Sequence, residues 1–216
     1  MIVRVKICCI SSTSEAQMAM NYGAAAMGLV GRMPSGPGPI EDELIKSIAA
    51  AIPPPVASFL LTCETSAEQI IAHHKRTFTN TIQLVDELPE KDYVTIKEAI
   101  PAIKLVQVIH VIDEGSIEDA IKVSGYVDAI LLDSGNPKLA IKELGGTGRV
   151  HDWKLSRKIK ESIKIPLFLA GGLNAANVRQ AIDEVEPYAV DVCSGVRTNG
   201  NLDKKKLDLF FNAVRF

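Results

Sequence analysis

Two residues of this sequence are placed for acid–base chemistry: a thiol in one apolar run and a carboxyl closing another. Cys8 lies within Val3–Cys9, and Asp133 directly follows Ile130-Leu131-Leu132. Side chains alternate along an extended strand, so Lys6 and Cys8 share one face while Ile7 and Cys9 share the other. An ammonium neighbour favours the thiolate, the form that acts as base or nucleophile. A carboxyl in a partly apolar mouth stays protonated closer to neutrality, which suits Asp133 as a proton donor. Plainer roles exist for both, since free Cys is among the most buried residue types and Asp often caps the turn after a strand. Cys9 reads as packing outward, and because adjacent strand residues point apart no Cys8–Cys9 disulfide is expected.

Two glycine turns add a possible anion site. Ala170-Gly171-Gly172-Leu173-Asn174 ends one apolar run and Cys193-Ser194-Gly195-Val196 ends the next. Glycines let backbone N–H groups approach an oxyanion, so Gly171, Gly172, Ser194 and Gly195 are the expected phosphate contacts. Asp191 shares strand parity with Cys193 and is expected to orient other groups. The histidines form no metal set: His73 and His74 are adjacent on a helical stretch, His110 ends a run and His151 lies in a loop. Zinc-type Cys spacing is absent.

These residues need a scaffold that brings the ends of distant runs together. Val3–Cys9, Ala26–Val30, Ala57–Leu61, Thr81–Leu84, Lys104–Val111, Ala129–Leu132, Pro166–Ala170 and Ala189–Val192 read as short buried strands. Amphipathic stripes follow them, among them Ala16, Ala19 and Met20; Leu44, Ile45, Ile48 and Ala49; Ala67, Ile70 and Ile71; Ile117, Ala120 and Ile121; Val178, Ala181, Ile182 and Val185; and Leu207, Phe210, Phe211 and Val214. The stretch Glu90–Ile100 carries the weakest pattern. Ser12 before Glu15, Thr65 before Glu68 and Asn174 are the expected helix caps. Eight strand–helix units predict an α/β fold, a (β/α)8 TIM barrel forming one domain over residues 1–216, with its active site at the carboxyl ends of the strands. The loops after the seventh and eighth strands are the usual phosphate site of such a barrel. Two long connections, Gly31–Pro39 and Ser134–Asp152 with its Gly145-Gly146-Thr147-Gly148 motif, are expected to be functional.

The chain as a whole narrows the partners. With 24 basic and 26 acidic residues, the net charge of −2 provides no long-range attraction to nucleic acid or anionic membranes. The sequence shows no span of membrane length and no charged leader with an apolar stretch and cleavage site. Its four cysteines lie on apolar strands or just beyond them, which suits reduced thiols in a cytoplasmic protein. Any phosphate site is therefore local, and the expected partner is a small phosphorylated molecule bound by a monomer or homodimer.

Val5-Lys6-Ile7-Cys8, Leu131-Leu132-Asp133, Gly145-Gly146-Thr147-Gly148 with Asp152-Trp153, Leu169-Ala170-Gly171-Gly172-Leu173, Asn177-Val178 and Val190-Asp191-Val192-Cys193-Ser194-Gly195-Val196 follow one another in an order and spacing that resemble phosphoribosylanthranilate isomerase. The resemblance runs nearly end to end. It implies a cofactor-free Amadori rearrangement in tryptophan biosynthesis, with Cys8 as general base and Asp133 as general acid. Gly146 and Thr147 fall in a further family motif, where they are expected to bind or support substrate. Departures are visible. Cys9 stands where the family usually has Gly, and Ser11-Ser12 replaces a Thr-containing turn. Gln83-Leu84-Val85-Asp86 replaces Gln-Leu-His-Gly, and Arg197 stands where Glu is usual. The second loop, Met33-Pro34-Ser35-Gly36-Pro37-Gly38-Pro39, lacks the family's carboxylate-binding Arg, so Arg32 or Arg197 is the expected substitute. The alternatives are a related sugar-phosphate isomerase with another acceptor and a non-catalytic phosphometabolite-binding paralogue.

Overall fold

In the computed structural model residues 3–135 and 149–215 are described. Eight strands close a barrel: β1 (Arg4–Ile7), β2 (Ala26–Val30), β3 (Ala57–Thr62), β4 (Thr81–Leu84), β5 (Lys104–His110), β6 (Ala129–Asp133), β7 (Leu167–Leu169) and β8 (Ala189–Val192). Each pairs in parallel with its sequence neighbour, and β8 pairs with β1. The helices are α1 (Thr13–Tyr22), α2 (Asp42–Ala51), α3 (Ala67–Thr77), α4 (Glu90–Ala99), α5 (Gly115–Val123), α6 (Trp153–Ser162), α7 (Val178–Val185) and α8 (Lys204–Arg215). A short ribbon of β9 (Arg197–Thr198) and β10 (Asn201–Leu202) precedes α8.

The period-two pattern sorts the strands into two cores. Outward residues such as Ile7, Met27, Leu29, Ile82, Leu84, Ile130, Leu132, Val190 and Val192 pack beneath the helices. Inward residues including Ala26, Val30, Phe59, Leu61, Val106, Leu131 and Phe168 fill the barrel. The helix stripes complete the outer core. Val178, Ala181, Ile182 and Val185 of α7 and Leu207, Phe210, Phe211 and Val214 of α8 are buried, and each large apolar side chain contributes roughly 1.5–3 kcal/mol. Leu44 and Ile121 depart from the expected stripes and are exposed. β7 starts after Pro166, which cannot donate to the ladder.

The caps are partly displaced from expectation. Ser12 Oγ accepts from the Glu15 amide at 3.1 Å, as expected. Ser66 rather than Thr65 caps α3, accepting from the Gln69 amide. Asn174 does not cap α7; it accepts from the Ala176 amide in a preceding turn, and the helix starts at Val178. The weakly patterned stretch does form α4, buried through Tyr93 and Ile96.

Candidate active site

The carboxyl ends of the strands surround a pocket that includes Cys8, Cys9, Gln83, Asp133, Gly171, Gly172, Asp191, Cys193 and Ser194. The Cys8 amide donates to the Val192 carbonyl at 2.9 Å, continuing the β1–β8 ladder one residue beyond β1. Cys8 thereby keeps the inward parity of Lys6. Gly28 on β2 makes the room for both side chains, because a Cβ there would lie 2.8 Å from Cys8 Sγ and 3.2 Å from Lys6 Nζ.

Lys6 is fully buried and donates to Asp191 Oδ2 at 2.8 Å. Burial opposes its charge, but the Asp191 carboxylate, with smaller contributions from Cys8 and Cys9, offsets this and its pKa is raised. Asp191 Oδ1 is buried without a protein partner, although its residue lines the pocket. Asp133 closes β6, opposite His110 of β5. Its Oδ1 accepts from the Ser134 amide at 2.7 Å. Burial pushes its pKa up to about 6, with the Asp191 charge adding to the rise while the Ser134 amide opposes it. A carboxyl so placed holds a proton in the range where it can give one up.

The phosphate candidates divide. Gly171 and Gly172 adopt φ of 84° and 62°, and both line the pocket with Ser194. Gly195 does not line it. A Cβ at Gly195 would overlap the Leu173 carbonyl oxygen, so this glycine packs the turn after β8 against the turn after β7. His151 stands beside Gly171, and burial lowers its pKa to about 4, leaving it neutral near pH 7.

Two expectations change. Cys9 faces inward, because a left-handed φ of 62° breaks the strand alternation after Cys8. Its sulfur is hydrogen-bonded to Cys193 Sγ at 2.8 Å. Arg197 is unsuited to bind substrate: it is buried, with Nη1 donating to Glu15 Oε1 at 2.9 Å and Nη2 to Glu15 Oε2 at 3.1 Å. Its Nη2 also donates to the Cys9 carbonyl at 2.5 Å and the Cys8 carbonyl at 3.3 Å, so it braces the turn carrying the thiol. Burial alone would raise the Glu15 pKa, but the Arg197, Leu202 and Ser11 donors hold it low. Arg32 is exposed and outside the described pocket lining, where Met33, Ser35, Gly36 and Pro37 represent the second loop. Gly146 and Thr147 lie outside the described residues.

Gln83 was not among the expected site residues. It lines the pocket from β4 with Oε1 unpartnered. Its signal was a polar residue at an inward position between Ile82 and Leu84. Among the described residues, no group of three His, Cys, Asp or Glu side chains is arranged to hold a metal ion. No helix there is long and apolar enough to cross a membrane.

Comparison with known proteins agrees with this architecture. The family described as N-(5'-phosphoribosyl)anthranilate (PRA) isomerase matches residues 5–213. An N-(5'-phosphoribosyl)anthranilate isomerase of Methanosarcina acetivorans is 35% identical, covering 98% of this chain and 93% of its own. The crystal structure of phosphoribosyl anthranilate isomerase from Thermotoga maritima superposes with a TM-score of 0.84 at 32% identity, covering 99% of this chain and 98% of that one. Another phosphoribosyl anthranilate isomerase structure, in complex with reduced 1-(o-carboxyphenylamino)-1-deoxyribulose 5-phosphate, gives a TM-score of 0.81 at 30% identity over 99% and 98% of the two chains. Matched along nearly its whole length by both profile and relatives, this chain belongs to the N-(5'-phosphoribosyl)anthranilate isomerase family.

Proposed function

We propose that this chain isomerises N-(5'-phosphoribosyl)anthranilate to 1-(o-carboxyphenylamino)-1-deoxyribulose 5-phosphate, with Asp133 as general acid and Cys8 as general base. The observation that carries this reading is the family match across residues 5–213, together with both groups lining one pocket. Asp133 gives its proton to the furanose ring oxygen as the C1–O bond breaks and the anilino nitrogen forms a Schiff base. The Cys8 thiolate then removes the C2 proton, giving an enolamine that gains a proton at C1 while its C2 hydroxyl loses one, leaving the ketone. The steps conserve atoms and need no redox partner. Lys6 holds Asp191, whose second oxygen is available to accept from a sugar hydroxyl. Backbone amides of the Gly171-Gly172 turn and of Ser194 bind the phosphate.

One observation favours a second reading. The described pocket lining contains no Arg, Lys or His to meet an aromatic carboxylate, which fits a related sugar-phosphate isomerase with another acceptor. We assign Arg32 as the carboxylate contact in the first reading, because it adjoins Met33 at the pocket edge. A single chain supplies all these groups, so either a monomer or a homodimer would be active. The four free thiols suit the cytoplasm. Expression in a bacterial strain lacking this isomerase tests the reading. Growth without tryptophan supports it, and folded protein without growth favours the alternative acceptor.

A further inference from the structure

Cys9 occupies a place that the backbone makes costly for a side chain. Its φ of 62° is uncommon for a residue with a Cβ. The second loop is also shaped around it. Gly38 faces it so closely that a Cβ there would lie 2.6 Å from Cys9 Cβ, and the Pro37 carbonyl accepts from Cys9 Sγ at 3.5 Å. The result is a sulfur 2.8 Å from Cys193 Sγ, joining the turn after β1 to the end of β8. Cys8 is the nearer residue in sequence but a poor disulfide partner, since adjacent Cα atoms lie about 3.8 Å apart and disulfides usually need 4.4–6.8 Å.

We propose that Cys9 and Cys193 form a reversible oxidation site at the pocket wall, converted by hydrogen peroxide into a disulfide that links the ends of β1 and β8. The consequence for turnover rests on the proposed isomerase reaction, whereas the thiol chemistry does not. Cys193 is the attacking group. It is the half-buried member of the pair, whereas Cys9 is buried, and the nearby Arg197 charge favours its thiolate. The Cys193 thiolate attacks one peroxide oxygen, the O–O bond breaks, and hydroxide leaves to be protonated to water. The sulfenic acid formed is then attacked by Cys9. The S–O bond breaks, the S–S bond forms, and the Cys9 proton leaves with the oxygen as a second water. Two thiols lose two electrons, and one peroxide becomes two waters. A low-pKa thiol beside a resolving thiol is the usual form of a reversible redox site. Both cysteines line the pocket that contains Cys8 and Asp133, so the bridge alters the space the substrate would enter.

The test treats the reduced full chain with hydrogen peroxide, blocks remaining thiols with iodoacetamide, and maps the linkage by mass spectrometry beside turnover assays. Cys9 should be joined to Cys193 while Cys63 stays alkylated. Turnover should fall at least 10-fold and return with dithiothreitol. Cys9→Ser and Cys193→Ser should each abolish the linkage; if either variant fails to fold, mapping of the unsubstituted chain decides. Alkylation of both Cys9 and Cys193 after peroxide, or a bridge through Cys8, overturns the proposal. The mapped bridge with undiminished turnover overturns its control of activity. A reduced chain that never turns over substrate refutes the isomerase reading and leaves the thiol mapping interpretable.

Discussion

Lys6 and Asp191 are register partners on β1 and β8, and their side chains form an ion pair of 2.8 Å inside the barrel. Neither charge is solvated enough to stand alone, with side-chain exposures of 0% and 7%. Replacing Lys6 with Met strands the Asp191 charge and should cost about 3–5 kcal/mol of stability in urea unfolding. Lys6→Met with Asp191→Asn should recover much of that loss. A loss below about 1 kcal/mol in the single variant would show that the pair is not a buried charge couple.

Groups that act on the transition state separate rate from binding. Cys8→Ser and Asp133→Asn should each lower kcat by about 10² or more and leave the affinity for a sugar-phosphate ligand nearly unchanged. Gly172→Val should do the reverse to the anion site and weaken ribose 5-phosphate, because Gly172 lines the pocket at a φ of 62° that a β-branched residue resists. Steady-state kinetics with ligand titration checks both. Near-native turnover in the Cys8 variant contradicts its role.

The Asp133 proton sets a pH window. Its pKa of about 6 lies above the ordinary 3.8, so the folded state holds a proton that the unfolded chain has released between those values. Stability therefore falls as pH rises through this range, by about 3 kcal/mol at 1.36 kcal/mol per pKa unit. Asp133→Asn should remove that slope and unfold at higher urea concentration than the unsubstituted chain at pH 7. As the acid works protonated, kcat/KM should also decline as pH rises above about 6. Matched pH–stability curves and a pH–rate profile test the two signs.

What was legible in the sequence was the alternation. Inward Lys6, Cys8, Ala26, Phe59 and Leu131 against outward Ile7, Met27, Leu60 and Leu132 follow from a period of two, and the closed barrel follows from repeating it. Asp133 at the end of β6 was readable because it closes an apolar run. Cys9 was not, since its left-handed φ of 62° breaks the pleat where alternation would place it outward. The fate of Arg197 was hidden for another reason. Its partner Glu15 lies 182 positions away, and only the closed barrel brings the two to 2.9 Å.

Arg32 is the proposed reader of the aromatic carboxylate. If it binds that group, Arg32→Ala should raise KM for phosphoribosylanthranilate about 10-fold or more, as expected for a charged hydrogen bond of roughly 1.5–3 kcal/mol. Affinity for ribose 5-phosphate, which lacks the carboxylate, should hardly move. Equal losses for both ligands, or none for either, would remove Arg32 from the site and favour another acceptor.

The most direct test of the central claim follows the fluorescence of phosphoribosylanthranilate as purified protein is added. The account predicts a decay whose rate rises in proportion to protein concentration and is lowered about 10² or more by Asp133→Asn. Decay no faster than the uncatalysed loss, from protein that is folded and reduced, would contradict it.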